Sequence, residues 1–278
     1  MKQRKRERSS SVSTIDRRKF LQGAVLLGAA GSTSCQADVV SNEYGVSTGS
    51  PTGAPAFVNW AGNIKARPQA LAMPTSLPEL QEAVAKAKGV RAVGSGHSYV
   101  PCVHTDLVMV SLDKLDRILM VDRQSMRVTV EAGKKLHAFN DALAELGLAL
   151  PSIGDIDRQS LAGIVSTGTH GTGMAWGSFS DQATVHAIEL VKADGALLKL
   201  SADSPEDAEA LAAARLSLGA LGIIYAITFN VVEAHNLEMR SWLTTLSDAL
   251  DPKHYQQNDH YEFFSFPFTD KAVSYTHL

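Results

Sequence analysis

The chain has 278 residues, of which 45% are hydrophobic and 20% are charged, a composition that excludes a disordered or fibrous protein. Its length allows one large domain or two small ones. The formal net charge is −3, but residues 1–19 hold eight Lys or Arg against Glu7 and Asp16, so the rest of the chain is more acidic than the total suggests. This balance argues against a nucleic-acid-binding body, and we expect no nucleic-acid partner.

Paired arginines, Arg17 and Arg18, precede a short apolar stretch near the start of the chain. Crossing a bilayer takes roughly 20 apolar residues, so this stretch is too short for a membrane span. A basic segment, a short apolar segment and a small-residue exit are typical of a signal peptide, and paired arginines indicate the Tat route. Residues 1–37 are predicted to be a Tat-type signal peptide, with the Tat export machinery as partner and a periplasmic or membrane-attached destination. The alternative is an amphipathic or disordered basic arm.

The end of this segment is ambiguous, because "CQA" before Asp38 fits a cleavage site while Cys35 fits a poor lipid-attachment site. Cys35 and Cys102 are the two cysteines of the chain, so no disulfide framework is predicted. Residues 38–58 are rich in Ser, Thr, Gly and Pro and are predicted to form a flexible linker.

From about Asn59 the sequence becomes periodic. "SLPELQEAVAKAKG" predicts a helix with Ser76 as N-cap, Glu79 completing a capping box and Gly89 as the stop. "VRAV" and "DLVMVSL" each predict a strand, and "RILMVDRQSMRVTVEAG" predicts a hairpin that turns at residues 122–125.

The next stretches continue this alternation of helices and hairpins. "KKLHAFNDALAELG" predicts a helix closed by Gly147, and "VHAIELVKADGALLKLS" a hairpin around residues 194–195. "SPEDAEALAAARL" predicts a helix with Ser204 as N-cap and Pro205 at its first position, and "GIIYAITFNVV" a buried strand. Because hairpins join many of the strands, the fold class is predicted to be α+β and not doubly wound.

One loop, "AVGSGHSYVP", resembles a phosphate-binding turn but contains a histidine. A dinucleotide fingerprint is excluded, because no third glycine follows and Pro101 lies where a helix should run. Gly94 and Gly96 still allow a positive φ and let backbone N–H groups approach an anion closely. The alternative is a simple turn between two strands.

A second small-residue loop is predicted at residues 161–173, "LAGIVSTGTHGTG", with Asp155 and Ser160 just upstream. Its glycines clear space for close backbone approach, and its threonines offer hydroxyls to phosphate or ribitol oxygens. Two such loops could hold one extended cofactor from two sides. The histidines at 97, 104 and 170 lack the paired spacing of a metal site, so no metal is predicted, and no G-x-S-x-G motif indicates a serine hydrolase.

Several motifs, in this order along the chain, resemble those of one enzyme family. They are "VGSGHSY", "VTVEAG", "GLALPSIGDI", "STGTHGTG", "SLGALGII" and "HYEFFSFPFTD". The chain resembles the FAD-linked oxidases of the vanillyl-alcohol oxidase fold, and among them the D-arabinono- or L-gulono-1,4-lactone oxidases and the alditol oxidases. The resemblance implies a PCMH-type FAD-binding domain of two α/β subdomains at residues 59–236, followed at 237–278 by the beginning of a truncated substrate domain.

The resemblance also implies which residues hold the cofactor. The expected pyrophosphate loop is Ala92, Val93, Gly94, Ser95, Gly96, His97 and Ser98. The residues expected further along the cofactor are Ser160, Gly163, Thr167, Gly168, Thr169 and His170, with the backbone of Ile223 at the adenine end. In relatives with a histidine at position 97, this side chain is joined to the 8α-methyl carbon of the flavin, so covalent FAD is expected. His170 is expected to orient its loop.

Asp155 falls where related alditol oxidases have a small hydroxyl residue near the flavin and the substrate. It is either a substrate-side residue or a solvated loop residue, and both interpretations stay open. The catalytic residues are unknown, since the family places them in the C-terminal domain, which has only begun when the sequence ends.

The resemblance implies an oxidoreductase acting on a CH–OH group of a sugar-1,4-lactone or polyol. A hydride passes to flavin N5, and oxygen accepts the electrons and yields hydrogen peroxide. One alternative is a dehydrogenase on the same fold that passes electrons to a quinone or cytochrome. The other is a non-enzymatic exported flavin-binding module.

Overall fold

The computed structural model describes residues 46–47 and 55–277. The predicted signal peptide at residues 1–37, including Cys35, lies outside this part of the chain. The last three residues of the predicted linker, Ala56–Val58, form a strand that pairs with Val46–Ser47 on one side and with Lys65–Ala66 on the other. This part of the linker prediction is wrong, because Phe57 is buried and anchors the segment.

Strands and helices alternate along the chain. The strands are β1 (Val46–Ser47), β2 (Ala56–Val58), β3 (Lys65–Ala66), β4 (Ala70–Ala72), β5 (Val90–Val93), β6 (Val108–Ser111), β7 (Ile118–Asp122), β8 (Arg127–Glu131), β9 (Leu148–Ala149), β10 (Val185–Val191), β11 (Leu197–Ser201), β12 (Ile223–Asn230), β13 (Val232–Glu233), β14 (Met239–Thr245), β15 (His260–Ser265) and β16 (Lys271–His277). The helices are α1 (Leu77–Lys86), α2 (Leu136–Glu145), α3 (Leu161–Ser166), α4 (Ala208–Arg215), α5 (Leu246–Ala249) and α6 (Lys253–Gln256). This mixture confirms the α+β class.

The largest sheet has five antiparallel strands in the order β11-β10-β12-β8-β7. Both predicted hairpins, β7–β8 and β10–β11, are confirmed, and β12 is buried along most of its length. Val128 and Val130 of β8 point into the core, where Phe139 of α2 packs against Phe229 of β12 at a ring distance of 5.4 Å. The core therefore lies between this sheet and the helices on its inner face.

A second, smaller sheet is parallel, with β6 between β4 and β5. Helix α1 connects β4 to β5, and its Leu80 and Val84 belong to the same core as the large sheet. The Ser76 hydroxyl accepts a hydrogen bond from the Glu79 backbone N–H, which confirms the predicted N-cap. Strand β5 leads directly into the glycine loop, so this sheet sets the position of the loop.

Two predicted helix boundaries are wrong. Helix α1 ends at Lys86 and its C-cap, Ala87, is extended, so Gly89 lies beyond the helix and is not its stop. The Ser204 side chain makes no capping hydrogen bond, because Pro205–Asp207 form a 3-10 turn and α4 begins after it. In contrast, Gly147 follows α2 with a φ of 68°, as predicted for a helix-terminating glycine.

The chain after β13 forms a three-stranded antiparallel sheet in the order β14-β16-β15. It contacts the earlier part of the chain through an isolated bridge between Gly173 and His260 and through a hydrogen bond from Met174 N to Asp259 O, at 2.9 Å. This contact brings β15 next to the second small-residue segment. None of the helices in the described residues is long and apolar enough to span a membrane.

Candidate functional site

A cleft opens between the end of β5 and helix α3. The segments that line it are 91–94, 102–103, 112–113, 132–133, 160–167 and 218–219, although not every residue of each segment reaches the surface of the cleft. Predicted cofactor residues on the cleft wall are Ala92, Val93, Gly94, Ser160, Gly163 and Thr167. The two segments that the sequence singled out therefore face each other in the folded chain, although Gly94 and Ser160 are 66 positions apart in the sequence.

Helix α3 corrects the prediction that residues 161–173 form one loop. Leu161–Ser166 are helical because Leu161, Ile164 and Val165 pack into the core, while Ser160 caps the helix by accepting a hydrogen bond from Gly163 N at 3.3 Å. The contact with β5 is tight, since a Cβ at Gly94 would lie 2.4 Å from Ser160 Oγ. Thr167 Oγ1 donates to the Gly163 carbonyl at 2.8 Å, so this hydroxyl can only accept from a ligand.

The glycine loop after β5 presents a row of backbone donors. Within the described residues, the N–H groups of residues 94–98 have no hydrogen-bond acceptor in the protein. Gly96 has a φ of 67°, in the left-handed region of backbone conformations. Successive N–H groups around a left-handed residue form an anion-binding nest. The donor set therefore fits a pyrophosphate.

Two neighbouring elements hold this loop in place. Ser95 is buried, and its hydroxyl accepts from Lys135 Nζ at 3.0 Å, while the same ammonium pairs with Asp113 at 2.8 Å. On the other side, Trp60 N donates to Gly96 O at 2.8 Å. The loop is thus fixed before any ligand binds, which reduces the entropy lost on binding.

His97 lies at the outer part of the loop and does not line the cleft itself. Its imidazole stacks on the indole of Trp60, with ring centres 5.6 Å apart and planes 15° apart. Burial and the positive charge of Lys135 lower the pKa of His97 below its ordinary value. The ring is therefore neutral near pH 7, the form that acts as a nucleophile.

Residues 68–201 match a family model described as the FAD binding domain. The chain contains an FAD-binding domain. Solved structures support the PCMH-type fold of this domain: a solvent-stable cholesterol oxidase aligns with a TM-score of 0.69 at 22% identity, covering 82% of this chain and 49% of that one. An alkyldihydroxyacetonephosphate synthase aligns with a TM-score of 0.68 at 17% identity, covering 78% and 48%.

Several curated relatives of this chain are named for lactone substrates. L-gulono-1,4-lactone dehydrogenase of Mycobacterium tuberculosis is 40% identical over 228 residues, 80% of this chain and 52% of that protein. L-gulonolactone oxidase of Mus musculus is 36% identical over 222 residues, 78% and 50%. D-arabinono-1,4-lactone oxidase of Saccharomyces cerevisiae is 34% identical over 227 residues, 78% and 42%. The chain spans about half the length of the curated relatives it matches.

The remaining predicted residues of the FAD-binding domain lie away from the cleft. They are Gly168, Thr169, His170, Ile223 and Asp155, together with Ser95, Gly96, His97 and Ser98 of the loop. Ile223 is buried at the start of β12. His170 is exposed, and its Nδ1 lies 3.0 Å from the carbonyl of Gly171, a local contact. Contact between these residues and FAD therefore stays a prediction.

Asp155 is exposed on the loop between β9 and α3, yet its charge reaches a second carboxyl group. Burial and the negative charge of Asp155 raise the pKa of Glu262 on β15 above its ordinary value. Sequence reasoning missed Glu262, as it missed Trp60 and Lys135, because each meets the site only through a contact between distant segments. The charge of Asp155 therefore acts on a residue of the following sheet.

Proposed function

We propose that this protein is an FAD-dependent oxidoreductase that oxidises a CH–OH group of a sugar-1,4-lactone. The observation that carries the proposal is the row of unsatisfied N–H groups at residues 94–98, in a loop whose first residue, Gly94, packs against the start of α3. This loop lies within the segment that matches the FAD-binding domain. The substrate class rests on the names of the relatives, which are gulono- and arabinono-lactone enzymes. A polyol substrate is the alternative within the same chemistry.

The protein would bind and orient the cofactor, which accepts a hydride when bound. The N–H groups of residues 94–98 would hold the pyrophosphate, and Ser160 with Gly163 would pack along the cofactor from α3. Lys135 would offset part of the phosphate charge while staying paired with Asp113. We also propose Asp155 as a residue of the substrate side, because its negative charge acts, beside burial, on Glu262 of β15.

His97 is proposed to attach the flavin covalently. A bond would form between an imidazole nitrogen and the 8α-carbon, with one hydrogen lost from the imidazole N–H and one from the methyl group. The two hydrogens, with their two electrons, would be taken up by oxygen to give hydrogen peroxide, so the bond needs oxygen as its oxidant. The lowered pKa of His97 supports this role, since the neutral ring has the required lone pair.

Oxygen is the proposed acceptor in turnover, by analogy with the relatives named oxidases. A second candidate is a dehydrogenase that reduces a quinone or cytochrome, because the Mycobacterium tuberculosis relative is named a dehydrogenase. The two differ in how their reduced flavin reacts with oxygen.

Anaerobic addition of L-gulono-1,4-lactone or D-arabinono-1,4-lactone to the purified full-length protein is expected to bleach the visible flavin absorption. Air should then restore the colour with about one peroxide formed per flavin, since one hydride carries two electrons to one oxygen. Restoration by a dye or quinone, without peroxide, would favour the dehydrogenase. A flavin that no lactone or polyol bleaches would contradict the enzyme proposal and favour a flavin-binding module.

Export by the Tat route is proposed from the paired arginines of the first 37 residues. Changing Arg17→Lys together with Arg18→Lys is expected to leave most of the protein in the cytoplasm, measured by immunoblotting of cell fractions. Lys19→Arg keeps the charge and the arginine pair and is the control. A double variant that fractionates like the wild type would contradict the proposal.

A further inference from the structure

Trp60 is an exposed tryptophan with a single ring partner. Its residue is 63% exposed, and within the described residues its only ring contact is His97. Tyr99 is exposed to the same extent and has no ring contact in that part of the chain. A large apolar ring left in solvent gains little from burial, so the stack on His97 is the contact that explains its position.

The backbone on both sides of His97 is fixed by the residues next to this indole. Trp60 N donates to Gly96 O at 2.8 Å, and Asn59 Nδ2 donates to Ser98 O at 3.0 Å. These bonds reach the carbonyl groups before and after His97. Backbone motion of the histidine is therefore restrained from one short segment of the chain.

Asn59 is itself rigid. It is 4% exposed, its Oδ1 accepts from Ile64 N at 2.8 Å, and its N–H donates to Ile64 O at 3.0 Å. The Phe57 ring and the Asn59 Cα both lie 3.4 Å from where a Cβ at Gly96 would be, so the segment packs directly on the loop. Residues 57–64 thus form a segment with its own internal hydrogen bonds that packs against the loop carrying His97.

The stack leaves the nitrogen edge of the imidazole available. A stacked ring contacts its partner through its face, whereas the bond to the flavin uses a lone pair in the ring plane. Burial, together with the positive charge of Lys135, lowers the pKa of the imidazole, and this ammonium is itself held by Asp113 and Ser95. The indole therefore acts on the orientation of the ring, whereas burial and Lys135 act on its charge state.

We propose that Asn59 and Trp60 are positioning residues that hold the His97 ring for covalent attachment to the flavin. The proposal rests on the proposed function and its histidyl bond. The indole fixes the plane of the imidazole, and the two hydrogen bonds to Gly96 O and Ser98 O restrain the backbone of His97. Loss of the indole slows bond formation but leaves the N–H groups that hold the pyrophosphate intact, so FAD binding survives.

The test follows attachment in time. Apo forms of the wild type, Trp60→Ala, Trp60→Phe and Tyr99→Ala, purified at full length from riboflavin-limited cells, are mixed with FAD, and samples are precipitated with acid. Flavin in the pellet measures the bond, and flavin that co-elutes with the native protein on gel filtration measures binding. Trp60→Ala is expected to lower the attachment rate about tenfold or more, as misplacing a reacting group by about 1 Å does. Trp60→Phe keeps a stacking ring and should recover most of the rate, and Tyr99→Ala should match the wild type.

Three outcomes would overturn the proposal. Wild-type attachment rates in Trp60→Ala would show that the indole does not position His97. Loss of bound flavin together with the bond would show that Trp60 supports the fold or the binding of FAD instead. A wild-type protein that binds FAD but releases all of it in acid would remove the histidyl bond and this inference with it, while leaving the oxidoreductase proposal to the lactone experiment.

Discussion

Replacing Gly133 by alanine is expected to lower the free energy of unfolding by more than about 4 kcal/mol, a large part of the stability of a typical domain. A Cβ at this position would lie 1.8 Å from the carbonyl oxygen of Leu112 and 2.8 Å from that of Leu115. Both are backbone atoms, so no side-chain rotation can relieve the clash.

The surroundings of Gly133 cannot move aside easily. Its N–H donates to Leu115 O at 3.0 Å, and Ala132 N donates to Tyr225 O at 2.9 Å, which ties this turn to β12. Glu131, two residues before Gly133, is buried, and its carboxylate accepts a hydrogen bond from the Arg117 guanidinium at 2.7 Å. A shift at Gly133 would therefore break several buried hydrogen bonds and open the wall of the cleft.

Gly147→Ala is the matched control for Gly133→Ala. Its φ is 68°, but nothing lies within 4 Å of the position of an added Cβ. Only the left-handed backbone opposes the substitution, at a cost of about 1 kcal/mol. Urea unfolding followed by circular dichroism measures both variants. Gly133 does not have a left-handed φ, so equal losses in the two would mean that the chain relieves the contact with Leu112 at little cost and would contradict the prediction.

Local chemistry explains why much of the fold was predictable from the sequence. The hairpin at 122–125 turns where it does because Asp122 Oδ1 accepts from the N–H groups of Gln124 and Ser125. The Ser76 cap and the helix-terminating Gly147 likewise act within a few residues. Such signals need no tertiary context.

The errors arose where packing overrides local composition. Leu161–Ser166 contains a glycine and lies beside a Gly- and Thr-rich run, which suggested a loop, yet its apolar residues at spacings of three and four bury against β12 and α4. That spacing was the signal available in the sequence. The residues that support His97 had no such signal, since Trp60 and Lys135 lie 37 and 38 positions away from it and meet it only in the folded chain.

His97→Ala is expected to abolish acid-stable flavin while leaving FAD bound. The pyrophosphate is proposed to be held by the N–H groups of residues 94–98, and these do not depend on the histidine side chain. Flavin should therefore co-purify and then leave entirely with the supernatant after acid precipitation. We also expect lactone oxidation to slow by about tenfold, equivalent to about 1.4 kcal/mol in activation free energy, because the histidyl bond orients the ring and raises its potential.

His104→Ala is the control for this substitution, because His104 lies exposed seven residues further along. Among the described residues its one hydrogen bond runs from its backbone N–H to the carbonyl of Pro101. After acid precipitation, the pellet of His104→Ala should retain as much yellow flavin as that of the wild type. A yellow pellet from His97→Ala would contradict the assignment and point to another nucleophile. The half-buried thiol of Cys102, whose Sγ is 3.6 Å from Ser98 Oγ at the base of the same loop, would then be the next residue to change. A colourless soluble His97→Ala protein would instead mean that the side chain is needed for binding, because the row of backbone donors would not hold the cofactor without it.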